Sequence, residues 1–246
     1  MKKYNVIHFN SLNSTNTYSL EHFSELKNGD VVVTDVQTSG RGRFDRVWQG
    51  ASSENLYMTF VIKPEIVDNY PFMNLTQYLS VVINRILNKK YAIMSNIKWP
   101  NDILFNGKKI SGILAETKIE NNLLRGVVLG VGINLNTSPS KIIPNAISLK
   151  EISGKTIDKD EFMTDVLSEF FNNYDEFVKN GFSYIYDEYL RMCHFNAELK
   201  VGNSYKEGEF SVYKFGKLNE DGTLTVSEIG KEDNKDIKIV SGDILC

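Results

Sequence analysis

Three things are scarce in this 246-residue sequence, and each scarcity removes a class of function. Cysteine occurs only at Cys193 and Cys246, too few and too far apart for a metal motif, which fits free thiols in a reducing compartment. No apolar run approaches the roughly 18 residues of a membrane-spanning helix. The N-terminal MKKYNVIHFNSLNSTN turns polar before a secretory apolar region can develop, so the expectation is a cytoplasmic chain with no membrane partner. Positive charge is not in excess: 28 Lys and Arg against 31 Asp and Glu give a net charge of −3, without a chain-wide nucleic-acid footprint. There is no Gly-Xaa-Ser-Xaa-Gly elbow, no internal repeat and no low-complexity tract. With 41% apolar and 24% charged residues the composition is that of a globular protein, and the length suits one good core plus a small second domain.

What stands out instead is QTSGRGRFDRVW, Gln37 to Trp48. Its glycines disfavour a helix interior and it has too few apolar side chains to be core. Backbone N–H groups and the guanidinium groups of Arg41, Arg43 and Arg46 suit an anion, and the Trp48 indole suits a flat ring. A plain basic loop has the same composition, so this stretch alone leaves both readings open.

The pattern around it predicts an α+β chain. Val6 to Phe9 and Asp30 to Gln37 read as strands, and between them Ser14 or Thr15 starts a helix that ends before Asn28-Gly29. Asn55 to Ile62 is a further strand, so the Gly/Arg stretch lies in a long polar connection of the kind usually functional or disordered. Tyr70 to Lys90 has helical spacing. Asn96 to Trp99, then Asp102 to Phe105 and Lys108 to Lys118 around the turn Asn106-Gly107, then Leu123 to Ile133, make successive antiparallel strands. Gly112, Gly130 and Gly132 inside them signal bulges or close approach to the backbone. Ser138 to Ile157 reads as an irregular surface connection, Asp160 to Asn180 and Ser183 to about Met192 as helices whose aromatic residues pack the core. After residue 193 short strands take over at Ala197 to Val201, Glu209 to Tyr213, Thr223 to Ile229 and Asp236 to Val240, as in a small β barrel leaning on residues 1–193.

Four motifs in this order resemble the catalytic module of bacterial-type biotin protein ligases: NSTN at Asn13 to Asn16, the Gly/Arg stretch, KWPND at Lys98 to Asp102 followed by GKKISGILAE, and GVGINLN at Gly130 to Asn136. The resemblance implies a mixed, mostly antiparallel sheet flanked by helices, the class II aminoacyl-tRNA synthetase-like module, over residues 1–193, with an SH3-like β barrel over residues 194–246. It implies joining of biotin to ATP with Mg²⁺, giving biotinyl-5′-AMP, and transfer to a lysine of the carrier domain of acetyl-CoA carboxylase or another biotin-dependent enzyme. For site residues it implies Ser14, Thr15, Asn16, Gln37, Gly40, Arg41, Gly112, Gly130 and Gly132 around biotin. Arg41, Arg43, Arg46, Trp48, Asn101, Asp102 and Asn134 fall to ATP and the adenylate, and Lys109, Arg43 and Lys98 to catalysis. It names no metal ligands. Side-chain alternation sends Lys108 and Lys109 to opposite faces, and the resemblance, aligned on SGI, implies Lys109.

Regulatory relatives carry an N-terminal helix-turn-helix domain. Here the Ser-Thr-Asn motif arrives at residue 14, so the expectation is an enzyme-only type with no specific DNA binding. The Phe44-Asp45 pair departs from the basic pattern of the loop. A homodimer is compatible with the family. Two alternatives stay open: a lipoate or octanoyl transfer enzyme of the same fold, and a nucleotide- or RNA-binding module built on Arg41, Arg43, Arg46 and Trp48. The loop from Ser39 to about Ser53, rich in glycine and like charge, is expected to order only when a ligand binds.

Overall fold

Apolar residues that run without alternation need cover on both faces, and the central strands have it. In the computed structural model β1 (Asn5–Leu12) leads through α1 (Thr15–Glu21) to β2 (Asp30–Gln37). In β2, Val31 and Val33 join the main core while Val32 faces a smaller one with Phe23, Leu26, Val61 and Val128. The Gly/Arg stretch then folds as a two-stranded ribbon, β3 (Gly40–Arg41) against β4 (Val47–Trp48), before β5 (Leu56–Ile62) re-enters the sheet. Helix α2 (Leu75–Tyr91) is followed by β6 (Asn96–Lys98), β7 (Asp102–Phe105), β8 (Lys108–Glu120) and β9 (Leu123–Ile133). The main sheet has the order β1-β2-β5-β9-β8-β7-β6, parallel only between β1 and β2. The mixed, mostly antiparallel sheet expected from the sequence is therefore present.

Helices α3 (Leu149–Ser153), α4 (Lys159–Asn180) and α5 (Tyr186–Met192) complete the helical cover. Along α4, Phe162, Val166, Phe170 and Phe177 are fully buried, with Phe170 stacked on Phe60 at 4.4 Å and Phe177 on Tyr78 at 4.2 Å. The helical spacing of aromatics is thus core packing, as read from the sequence.

The C-terminal strands β10 (Glu198–Gly202), β11 (Phe210–Leu218), β12 (Leu224–Glu228), β13 (Asp236–Ile239) and β14 (Asp243–Leu245) correct the expected SH3-like barrel. They form an open antiparallel sheet in the order β13-β12-β11-β10-β14, with β13 and β14 on opposite edges. Closure is not needed to bury the apolar face, because Leu199, Leu218, Leu224, Val226 and Ile244 join the main core directly. Polar contacts fix the docking: Trp99 Nε1 and Gln77 Nε2 donate to the Gly222 carbonyl at 2.9 and 2.8 Å, and Asn74 Nδ2 donates to the Asp221 carbonyl at 2.9 Å. Gly222 is at φ 82°, and a Cβ there would sit 2.5 Å from Asn74 Nδ2, so glycine is required twice over.

The structure describes residues 4–48, 52–65, 70–141, 143–202, 210–229, 235–240 and 242–245. Glu209, Ser241, Cys246 and residues 49–51 of the expected loop lie outside these. No helix among the described residues is long and apolar enough to cross a membrane.

Candidate active site

A cavity of about 660 Å³ opens where the ribbon crosses the face of the central strands. One end is built of buried neutral groups. Ser14 caps α1 by accepting from the Thr17 backbone N–H at 3.4 Å, so the polar cluster before the helix both starts it and lines the cavity. The Thr15 N–H and hydroxyl donate to Gln37 Oε1 at 2.9 and 3.2 Å. The Thr59 hydroxyl lies 2.8 Å from Thr15 Oγ1 and 2.7 Å from Asn16 Oδ1. Asn16 Nδ2 donates to the Leu114 carbonyl at 3.2 Å and to Glu116 Oε2 at 2.8 Å. With Thr15, Asn16, Gln37 and Thr59 all buried, these bonds leave little rotational freedom at this end.

The other end is charged. Arg43 Nη1 donates to Asn101 Oδ1 at 3.0 Å, while Asn101 Nδ2 is tied to the Ile113 carbonyl at 2.6 Å. Lys109 Nζ pairs with Asp102 Oδ1 at 2.7 Å and stands 5.4 Å from the centre of the Trp48 ring. Lys109 faces the cavity from β8 whereas Lys108 is exposed, as strand alternation requires. Phe44, held at φ 55°, turns its ring beneath Arg43 at 4.9 Å and Arg46 at 6.0 Å. It thus packs within the basic loop, whereas the Asp45 side chain lies outside the described set.

The strand glycines make room, but for protein side chains. A Cβ on Gly130 would stand 2.0 Å from Asn16 Oδ1, and a Cβ on Gly132 would stand 2.4 Å from Trp48 Cε2. A Cβ on Gly112 would meet Lys109 Cε at 2.9 Å and Trp48 Cζ3 at 3.0 Å. The indole therefore lies flat along the glycine strands, and its Nε1 has no hydrogen-bond partner among the described residues.

Of the residues singled out from the sequence, Lys98 and Gly40 are not in the cavity lining, and the others are. Lys98 pairs across from Asp102 in the β6–β7 ladder, and Gly40 from Trp48 in the ribbon. Asn134 lines the cavity, and its amide also donates to the carbonyls of Lys109 and Ile147 at 3.3 and 3.4 Å, bracing the strand that carries the lysine.

Three contributors lie outside the residues that the sequence patterns single out. Ser138 to Ile157 is not merely an irregular surface connection: Lys109 N–H donates to the Asn145 carbonyl at 2.7 Å and Ile147 N–H to the Lys109 carbonyl at 3.0 Å. Ser138, Pro139, Ile143, Asn145 and Ala146 wall the cavity, and α3 begins in a capping box of Ser148 and Glu151 that the sequence does carry. Thr59 was hidden inside an apolar run. Glu116, the last residue of GKKISGILAE, carries no role in the sequence pattern.

Comparison with known proteins agrees with this geometry. The model described as the biotin/lipoate A/B protein ligase family matches residues 8–134. The bifunctional ligase/repressor BirA of Bacillus subtilis (strain 168) is 32% identical over 225 residues, covering 88% of this chain and 66% of that protein. A structure of the biotin protein ligase from Aquifex aeolicus in complex with biotin and ATP aligns with a TM-score of 0.81 at 27% identity, over 98% of this chain and 97% of that one. Its apo structure aligns with a TM-score of 0.77 at 25% identity, over 98% of each chain. The chain spans less than two thirds of the length of the BirA proteins it matches.

Proposed function

Because the chain belongs to the biotin/lipoate A/B protein ligase family, we propose that it uses ATP to activate biotin and transfers it to a lysine of a biotin carboxyl carrier protein. The observation that carries this reading is one continuous cavity with a buried, neutral, hydrogen-bonded end and a cationic end holding Arg43 and Lys109. A ureido ring needs paired donors and acceptors at fixed positions, and a carboxylate meeting a phosphate needs positive charge.

In the first step a biotin carboxylate oxygen bonds to the α-phosphorus of ATP as the bond to pyrophosphate breaks. Ser14, Thr15, Asn16 and Gln37 hold the head group. Lys109 and Arg43 stabilise the negative charge growing on the phosphoryl oxygens, and Asp102 keeps the Lys109 ammonium in place until the nucleotide arrives. Arg46, Asn101 and Trp48 serve the nucleotide, with the indole covering adenine. In the second step the neutral amine of the carrier lysine bonds to the biotinyl carbonyl carbon, AMP leaves with the shared oxygen, and the amine gives up a proton. The nucleophile comes from the partner, in keeping with a cavity whose lining, among the described residues, holds no cysteine.

Among the described residues no three His, Cys, Asp or Glu side chains gather into a metal site, so the donor set fits magnesium carried by the triphosphate rather than caged by protein. When bound, the ion would neutralise phosphate charge, with Asp102 the carboxylate at that end of the cavity. A cytoplasmic setting fits the need for ATP and the free thiol of Cys193.

The test is incubation of the purified chain with ATP, Mg²⁺ and either biotin or octanoate. Pyrophosphate release and a bound adenylate with biotin alone are expected; release with octanoate alone would move the chain to the lipoate branch of the family.

A further inference from the structure

Within the basic stretch, Arg41 Nη2 donates to both oxygens of the Glu116 carboxylate, at 2.9 and 2.8 Å. Glu116 comes from the middle of β8, where pairing with Val128 of β9 holds its backbone. Its Oε2 also accepts from Asn16 Nδ2, and Asn16 is only 4% exposed and fills the space above Gly130. One carboxylate thus connects the ribbon at the mouth of the cavity to the buried network of Thr59, Thr15 and Gln37.

An exposed ion pair by itself contributes little. This one differs because the carboxylate is fixed by a buried amide and a central strand, so the pair locates the ribbon instead of following it. A guanidinium held by a carboxylate also has its charge compensated, which makes it a poor second ligand for a phosphate.

We propose that Glu116 is a positioning residue for biotin binding. It anchors Arg41, and through Arg41 the Gly40–Gly42 backbone, over the head-group end of the cavity. Arg41 then assists biotin binding through Glu116. The proposal rests on the ligase reading and goes beyond it in giving Glu116 a function and changing that of Arg41.

A double-mutant cycle of Glu116→Gln, Arg41→Gln and the two together tests it, read by the KM for biotin, the kcat of pyrophosphate release and amide exchange across Gly40 to Trp48 in the ligand-free chain. Glutamine is nearly isosteric and still accepts from Asn16, so the variant keeps the buried network. Loss of one charge-assisted hydrogen bond predicts a rise of about fivefold in KM for Glu116→Gln. The kcat should move by less than about twofold, because Lys109, Asp102 and Arg43 stay in place. Exchange in the ribbon should quicken, and Arg41→Gln should cost nothing further once Glu116 is Gln. Additive losses would show that Arg41 contacts the substrate on its own, and ribbon exchange unchanged by Glu116→Gln would show that no anchor was removed; either result overturns the proposal. Amide exchange needs no turnover, so a wild-type chain that released no pyrophosphate would reject the ligase reading while the anchor was still decided.

Discussion

The two ends of the cavity solve the problem of holding a ligand in different ways. At the neutral end, side chains from α1, β2 and β5 bond to one another in buried surroundings, and a single carboxylate, Glu116 of β8, holds Asn16 from outside. At the charged end, cations from the ribbon and β8 are held by polar partners near solvent, with the Lys109 side chain 34% exposed. Shape recognition calls for the first arrangement, since unpaired buried groups discriminate strongly between ligands. Charge that develops during reaction calls for the second, where cations can exchange a protein partner for a phosphate.

The largest effect should come from the charged end. Lys109→Ala is expected to lower the rate of pyrophosphate release about 10²- to 10³-fold, by analogy with removal of one oxyanion donor. Biotin affinity, measured by calorimetry, should change little. A matching loss of affinity would erase the proposed division between the ends.

A comparison of Gly130→Ala with Gly132→Ala addresses rigidity. The added methyl at 130 meets Asn16, which is held on both sides, and should destabilise the chain by about 1–3 kcal/mol in thermal or urea unfolding. At 132 it meets Trp48, carried on a short ribbon, so the indole can move aside and the loss should be smaller. Equal losses would mean that both ends are equally rigid.

Trp48→Phe gives up no hydrogen bond in the ligand-free chain, since Nε1 has no partner among the described residues. With stacking worth about 0.5–1.5 kcal/mol, ATP affinity should fall roughly two- to tenfold, and protection of Gly40 to Trp48 on adding biotin and ATP should weaken. Hydrogen exchange with and without ligands checks this; ligand-independent protection would return the ribbon to a purely structural role.

The smallest effect lies away from the cavity. Burial pushes the Asp221 carboxyl up, but bonds from Lys238 and Thr223 outweigh it and bring it down to about 2. A carboxyl lowered on folding contributes stability at pH values above its unfolded value near 3.8 and loses it as pH falls towards about 2. Because the Asp221 and Gly222 carbonyls also dock the second sheet, a modest loss of thermal stability is expected between pH 4 and pH 2. That slope should flatten in Lys238→Met.

Legibility of the chain followed the range of the interactions. The β7–β8 turn at Asn106-Gly107 and the start of α1 at Ser14 were readable because a few neighbouring residues set the backbone there. The fate of the second sheet was not. Four of its five strands were readable, but whether they close depends on the core their apolar residues join, and the side chains that bond to its turn at Asp221-Gly222, Trp99, Gln77 and Asn74, lie 120 or more residues away.

The sequence by itself determined most of the strands and helices, the Gly/Arg stretch and the opposite facing of Lys108 and Lys109, since spacing and alternation are local properties of the chain. Only the tertiary structure decided that Gly130 makes room for Asn16 and Gly132 for Trp48, that the 145–147 segment braces Lys109, and that Arg41 answers to Glu116 rather than to open solvent. Each of these is a contact between residues far apart in sequence, and a side chain's local pattern says which way it points on its strand but not which partner the fold brings to meet it.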